Sequence, residues 1–157
     1  MQAKIPAGRQ FWFLDTRVIV RISFEDGWDR ISALEHQAPH GDSPPLHVHR
    51  NEDEVFHLLE GEVAFRVDDK HLHGNAGDTF LAPKSIPHTY RVLSAGGARW
   101  LTITTGEEFE RFVRALGRPA DRDRLPDRSR PPTLEQAQAL VAAAARHGID
   151  IVGPPLS

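Results

Sequence analysis

No cysteine occurs anywhere in the 157 residues, which excludes disulfides, thiolate nucleophiles, thiolate zinc fingers and iron–sulfur clusters. Any bound metal must therefore be held by imidazole nitrogen and carboxylate oxygen. Long apolar runs are missing as well. No stretch nears the roughly 18 residues of a membrane span, and the opening M-Q-A-K-I-P-A-G-R-Q has no apolar signal-peptide core. A cytoplasmic protein without membrane contact is expected. Charge of one sign is scarce too, with 19 basic against 22 acidic side chains and a net charge of −3. Without a basic stripe to neutralise a row of phosphates, nucleic acid is not an expected partner. The G-x-S-x-G elbow, the phosphate loop and the dinucleotide fingerprint are all absent, which leaves serine acyl transfer, nucleotide hydrolysis and NAD chemistry without their usual equipment.

What is present is a turn-rich chain of one domain's length, with 12 glycines, 12 prolines and 39% hydrophobic residues. From Arg17 to about Thr105 the sequence is a series of short β-rich runs. They read R-V-I-V-R-I-S, R-I-S-A-L-E-H, P-L-H-V-H, E-V-F-H-L-L, E-V-A-F-R-V, D-T-F-L-A-P, H-T-Y-R-V-L and R-W-L-T-I-T. Glycine and aspartate turns separate them, a spacing that predicts an all-β antiparallel sandwich or barrel over residues 1–105. After Thr105 the period changes. Phe109, Phe112, Val113 and Leu116 form one face of a helix, with Thr105 and Glu108 as its capping box and Gly117 as its stop. Residues 118–132 alternate charge with proline and predict an exposed connector, the arginines from 111 to 130 a solvated face. A second helix is expected from the Thr133 and Gln136 capping box to Gly148. The ending I-D-I-V-G-P-P-L is either an added strand or an extended tail. Residues 106–157 thus make a small helical C-terminal extension.

Four side chains in this frame point to metal chemistry. His47 and His49 stand two apart, so on a strand they share a face and line one wall. Glu54 opens the next strand after the polar turn R-N-E-D, and Gly61 is expected to reverse the chain in a hairpin. His88 follows the rigid P-K-S-I-P loop, and barrel closure is expected to bring it across the lumen. Three imidazoles and one carboxylate suit one divalent transition metal, of Fe, Mn, Ni, Co, Cu or Zn, without selecting among them. Four protein ligands leave positions open on an ion that takes five or six, which catalysis requires.

The run G41-x5-H47-x-H49-x4-E54-x6-G61 resembles the first signature motif of the cupin superfamily, and G77-x5-P83-x-S85-x2-H88-x3-V92 resembles the second. Ser85 stands where that family usually has glycine, and Val92 where it usually has asparagine. The resemblance implies a small β-barrel or jelly roll with a metal in its mouth, often dimeric. Beyond the barrel, the F-E-R-F helix, the proline-rich connector and the G-I-D-I-V-G-P-P-L ending resemble small single-domain, quercetin-dioxygenase-like members of the superfamily.

Tyr90, Phe56 and Val92 share the ligand-side parity and are candidate substrate-pocket residues, with plain barrel core as the alternative. A second pair, His71 and His73, has no carboxylate at the right interval and predicts an exposed hairpin. His57 has the wrong parity, and His36, His40 and His147 show no partner in sequence. Trp28, Phe65 and Trp100 read as packing residues. The expected activity is a metal-dependent dioxygenase acting on a small aromatic or enolic compound, with Glu54 leaving the ion to act as base, as the resemblance implies. The alternatives are a non-redox isomerase, lyase or decarboxylase with the same ion, and a small-molecule-binding barrel without turnover.

Overall fold

Alternation of apolar and polar residues builds both sheets, and glycine, proline and aspartate end their strands. The computed structural model describes residues 5–127 and 131–157. In chain order the first strands are β1 (Gln10–Phe13), β2 (Thr16–Ile22), β3 (Ser32–Ala38), β4 (Pro45–His49) and β5 (Glu54–Glu60). They are followed by β6 (Glu62–Val67), β7 (Lys70–Asn75), β8 (Thr79–Ala82), β9 (His88–Val92) and β10 (Ala98–Thr104). The C-terminal part holds α1 (Glu108–Leu116), β11 (Arg118–Pro119), α2 (Leu134–Arg146) and β12 (Ile149–Pro155).

The strands form two antiparallel sheets, ordered β11-β1-β2-β3-β10-β5-β8 and β12-β4-β9-β6-β7. This is an all-β jelly roll with two short helices, as the spacing predicted. Gly61, at φ +85, does not close a hairpin. It passes the chain from one sheet to the other, because β5 pairs with β10 and β8 while β6 pairs with β9 and β7. An added Cβ there would lie 2.6 Å from the Gly97 carbonyl oxygen, so the crossover needs glycine. The His71 and His73 pair falls on β7, an exposed edge hairpin with β6.

Two apolar clusters fill the interior. One joins Phe11, Phe13, Val18, Val20 and Leu34 to Phe112 and Val113 of α1, Ala143 and Ala144 of α2, and Ile149 of β12. The other holds Phe56, Leu58, Val63, Phe65, Val92 and Trp100. The C-terminal segment therefore supplies both helices to the core and two strands to the sheets. β12 pairs with β4, Ile151 opposite His47, so the ending is a strand.

Several expectations need correction. β1 was too short to register as a strand, yet Phe11 and Phe13 alternate into the first cluster. The connector is exposed as expected, yet it is anchored: Arg118 and Pro119 pair with β1, Trp12 Nε1 donates to the Arg124 carbonyl, and Arg17 pairs with Asp123. Its residues 128–130 lie outside the described residues, as do Met1 to Lys4 of the opening. Arg111 and Arg118 are exposed, as expected of a solvated face, and also stack over Phe24 and Trp12, while Arg114 pairs with buried Glu110. Trp28 packs nothing; it is 100% exposed, beside an open cleft of about 420 Å³ that Glu52 and Gly106 also line. The capping box of Thr133 and Gln136 is present on α2. That of Thr105 and Glu108 is not. Thr105 Oγ1 instead accepts from the Asp53 backbone N–H, and the first N–H groups of α1 donate to the Glu52 carboxylate.

Helix α1 is also tied down by Glu110, which is fully buried and accepts from Ser23 Oγ, the Phe24 N–H, Ser32 Oγ and Arg114. Burial alone would raise its pKa, but these bonds outweigh burial and lower it. Glu110→Gln turns an amide donor toward those donors. It is expected to cost about 1–3 kcal/mol in denaturant unfolding, and an unchanged midpoint would show that the network carries no stability. No helix among the described residues is long and apolar enough to cross a membrane.

Candidate metal centre

Strand parity puts His47 and His49 on the inner face of β4, and β9 lies beside β4 with His88 opposite His47. His88 is therefore a neighbour of His47 within one sheet, not a residue from across the lumen. The group that does come from the opposite sheet is Glu54, the first residue of β5. The ring centroids of His47 and His88 are 4.4 Å apart, and those of His49 and His88 5.4 Å. His88 Nε2 lies 2.8 Å and His49 Nε2 3.3 Å from Glu54 Oε2.

One ligand atom from each of the four residues falls within 4.8 Å of all the others. Donors about 2.1 Å from one ion stand at most about 4.2 Å apart, so a small inward movement closes the cage. His49, Glu54 and His88 are buried, while His47 is half-buried and closes the outer side. Both ring nitrogens of His49 are buried without a hydrogen-bond partner. Buried polar atoms are normally satisfied, so an orphaned imidazole facing a carboxylate and two more imidazoles fits a cation site. The donor set of three nitrogens and one oxygen fits a divalent transition ion.

The electrostatics favour ligation. Burial would raise the Glu54 pKa, but His49, His88 and His47 around it lower it to about 2, so the carboxylate is charged. Burial lowers the His47 pKa to about 3, with His88 and His49 pushing the same way, so this ring is neutral and has a lone pair to give. For His49 burial also lowers the pKa, but Glu54 and Glu52 outweigh it and the net shift is upward.

The loops hold the cage. Ser85 adopts φ +66, so the left-handed conformation of the usual glycine survives the change to serine, at about 1–2 kcal/mol of strain. Its N–H donates to the His49 carbonyl, fixing the end of β4. Of the two acidic neighbours of Glu54, Asp53 accepts from the Lys84 N–H and Glu52 caps α1. Of the three candidate pocket residues, Phe56 and Val92 belong to the second apolar cluster and Tyr90 packs against it. The Phe56 ring is 6.0 Å from that of His88, and Tyr90 Oη donates to Asp42. His57 points outward to Thr79.

The stacked burial of His36 and the helix-capping role of Glu52 were not read from the sequence. His36 is buried and stacked between Trp100 and Phe109, at ring distances of 5.3 and 5.8 Å, with Nε2 unpartnered. Its parity with Leu34 and Ala38 was the one available signal. Glu52 offered none, because the helix it caps begins 56 residues later.

Residues 33–104 match the family described as "Cupin domain". A quercetin 2,3-dioxygenase of Bacillus subtilis is 28% identical over 105 residues, which are 67% of this chain but 31% of that protein. The chain thus spans under a third of that relative's length. Among solved structures, a predicted oxalate decarboxylase from Thermotoga maritima aligns with a TM-score of 0.59 at 18% identity, covering 67% of this chain and 98% of the other. A polyketide cyclase from Streptomyces resistomycificus aligns with a TM-score of 0.55 at 20% identity, covering 68% and 81%. At these identities the two structures show the shared fold.

Proposed function

We propose, from the match of residues 33–104 to the cupin-domain family, that the chain is a metal-dependent oxidoreductase of the dioxygenase type, acting on a small aromatic or enolic compound. The observation that carries this reading is the cage of His47, His49, Glu54 and His88. Likeness to a quercetin 2,3-dioxygenase supports the choice of reaction. When bound there, an iron, manganese, nickel, cobalt, copper or zinc ion supplies Lewis acidity toward a substrate oxygen, and its redox-active members a route for electrons to O₂.

The chain's own residues do the rest. His47, His49 and His88 would each give an imidazole nitrogen to the ion, and Glu54 a carboxylate oxygen. Held ionised, Glu54 accepts the proton of an enolic or phenolic hydroxyl as the substrate oxygen turns anionic. Phe56 and Tyr90 form an apolar wall beside His88 against which a planar substrate rests and from which water is kept away.

The test is oxygen uptake with flavonols after reconstitution with each of these divalent metals in turn. Uptake with at least one metal and none without it is expected. No uptake with any metal would remove the assignment, and metal-dependent turnover without oxygen would move it to the non-redox alternative.

A further inference from the structure

The three imidazoles of the cage are not held alike. His47 Nδ1 lies 2.8 Å from the Pro45 carbonyl and His88 Nδ1 3.1 Å from the Ile86 carbonyl, each two residues upstream. In both rings the Nδ1–H donates to backbone, which leaves Nε2 as the ligand atom. His49 has no such carbonyl. Its Nε2 faces Glu54, and its Nδ1, buried and without a hydrogen bond, faces Glu52 Oε2 at 3.6 Å.

Glu52 is itself 1% exposed, and its carboxylate accepts from the Glu108 N–H at 2.7 Å and the Phe109 N–H at 3.0 Å. It is the cap of α1, whose N-cap residue Glu107 makes no side-chain capping bond, and its negative charge sits where the helix dipole favours it. From the same turn of helix the Phe109 ring meets His49 edge-on at 5.7 Å.

We propose that Glu52 is the positioning residue of the metal cage, accepting the His49 Nδ1–H and so orienting Nε2 toward the ion while it anchors the start of α1. An ion drawing on Nε2 makes the Nδ1–H a stronger donor, and Glu52 Oε2 is the acceptor within reach. One carboxylate then serves both the start of α1 and the orientation of His49. This rests on the metal reading above and adds to it the part played by a residue outside the ligand set.

Cobalt(II) alone, titrated into the metal-free chain, tests it by calorimetry and by the shifted exchangeable ring N–H signals of the bound histidines in proton NMR. Glu52→Gln is expected to weaken cobalt binding about 10–100-fold and to displace the His49 N–H signal while those of His47 and His88 stay in place. Glu52→Asp should recover part of the loss. Gly106→Ala gives an independent route, because its Cβ would come 2.6 Å from Glu52 Oε1 and push the carboxylate aside; it should weaken binding in the same way. Glu110→Gln is the control for helix loosening. It should lower the unfolding midpoint and leave cobalt affinity at the parent value. Unchanged affinity and unmoved signals in Glu52→Gln overturn the proposal, as does an equal loss of affinity in Glu110→Gln. A parent chain that binds no cobalt refutes the cage itself, and this role with it, a result distinguishable from tight binding in both parent and variant.

Discussion

Replacing His88 by alanine is expected to abolish stoichiometric metal binding, lowering Co²⁺ affinity by more than about 100-fold, beyond what loss of an outer partner causes. His88 is the centre of the cage, with its ring beside both other imidazoles and its Nε2 on Glu54. Its removal takes away a ligand and the hydrogen-bond partner of a buried carboxylate together, so the metal-free variant should also lose about 1–3 kcal/mol of stability. The chain should still fold, because β9 is held by its ladders to β4 and β6 and not by this side chain. Calorimetric titration and elemental analysis read the first effect, denaturant unfolding in chelator the second. His73→Ala, on the exposed edge strand β7, is the control and should change neither. An equimolar ion bound to His88→Ala at parent affinity would place the metal elsewhere and dissolve the proposed centre.

That His88 was found in the sequence at all has a physical reason. Ligands on strands inherit a period of two, so His47 and His49 had to share a face, and the glycines and prolines flanking them marked where strands begin and end. Local chemistry of this kind is legible from residues alone. Pairing between strands is not: the chain showed a turn at Gly61, but whether it folds back in the same sheet or crosses to the other depends on partners up to 50 residues away, such as Thr104 of β10 for Glu54 of β5. The same distance problem hid the cap of α1. Thr105 and Glu108 had the spacing of a capping box, yet a buried carboxylate at Glu52 outcompetes a hydroxyl for those N–H groups. Trp28 misled for the opposite reason, since large aromatic side chains are usually buried and nothing local says that this one stands on an exposed loop. Ser85 shows tertiary constraint overriding propensity, with the loop between β8 and β9 holding a serine at positive φ.

His36 carries the second large effect, and it concerns stability against pH. Burial between Trp100 and Phe109 lowers its pKa from 6.5 to about 4, although Glu54 and Glu35 pull it upward. The unfolded chain takes up this proton near pH 6.5 and the folded chain only near pH 4, so between the two the unfolded state binds more protons. Stability from this group is therefore complete above pH 6.5, falls as the pH is lowered toward 4, and changes no further below that. At about 1.4 kcal/mol per pH unit the loss is about 3 kcal/mol. His36→Phe keeps a ring between Trp100 and Phe109 and has nothing to protonate, so its unfolding free energy should be flatter than the parent's by about that amount across the same window. Both chains are compared in chelator, so that metal release does not enter the difference. The carboxylates cancel in the comparison because the two chains share them, and Asp26, lowered to about 2 first by its bond from Arg9, titrates in the folded chain below the window. Parallel curves for parent and variant would mean that His36 already charges within the folded chain near its ordinary pKa, and so that its ring is not shut away from water between Trp100 and Phe109.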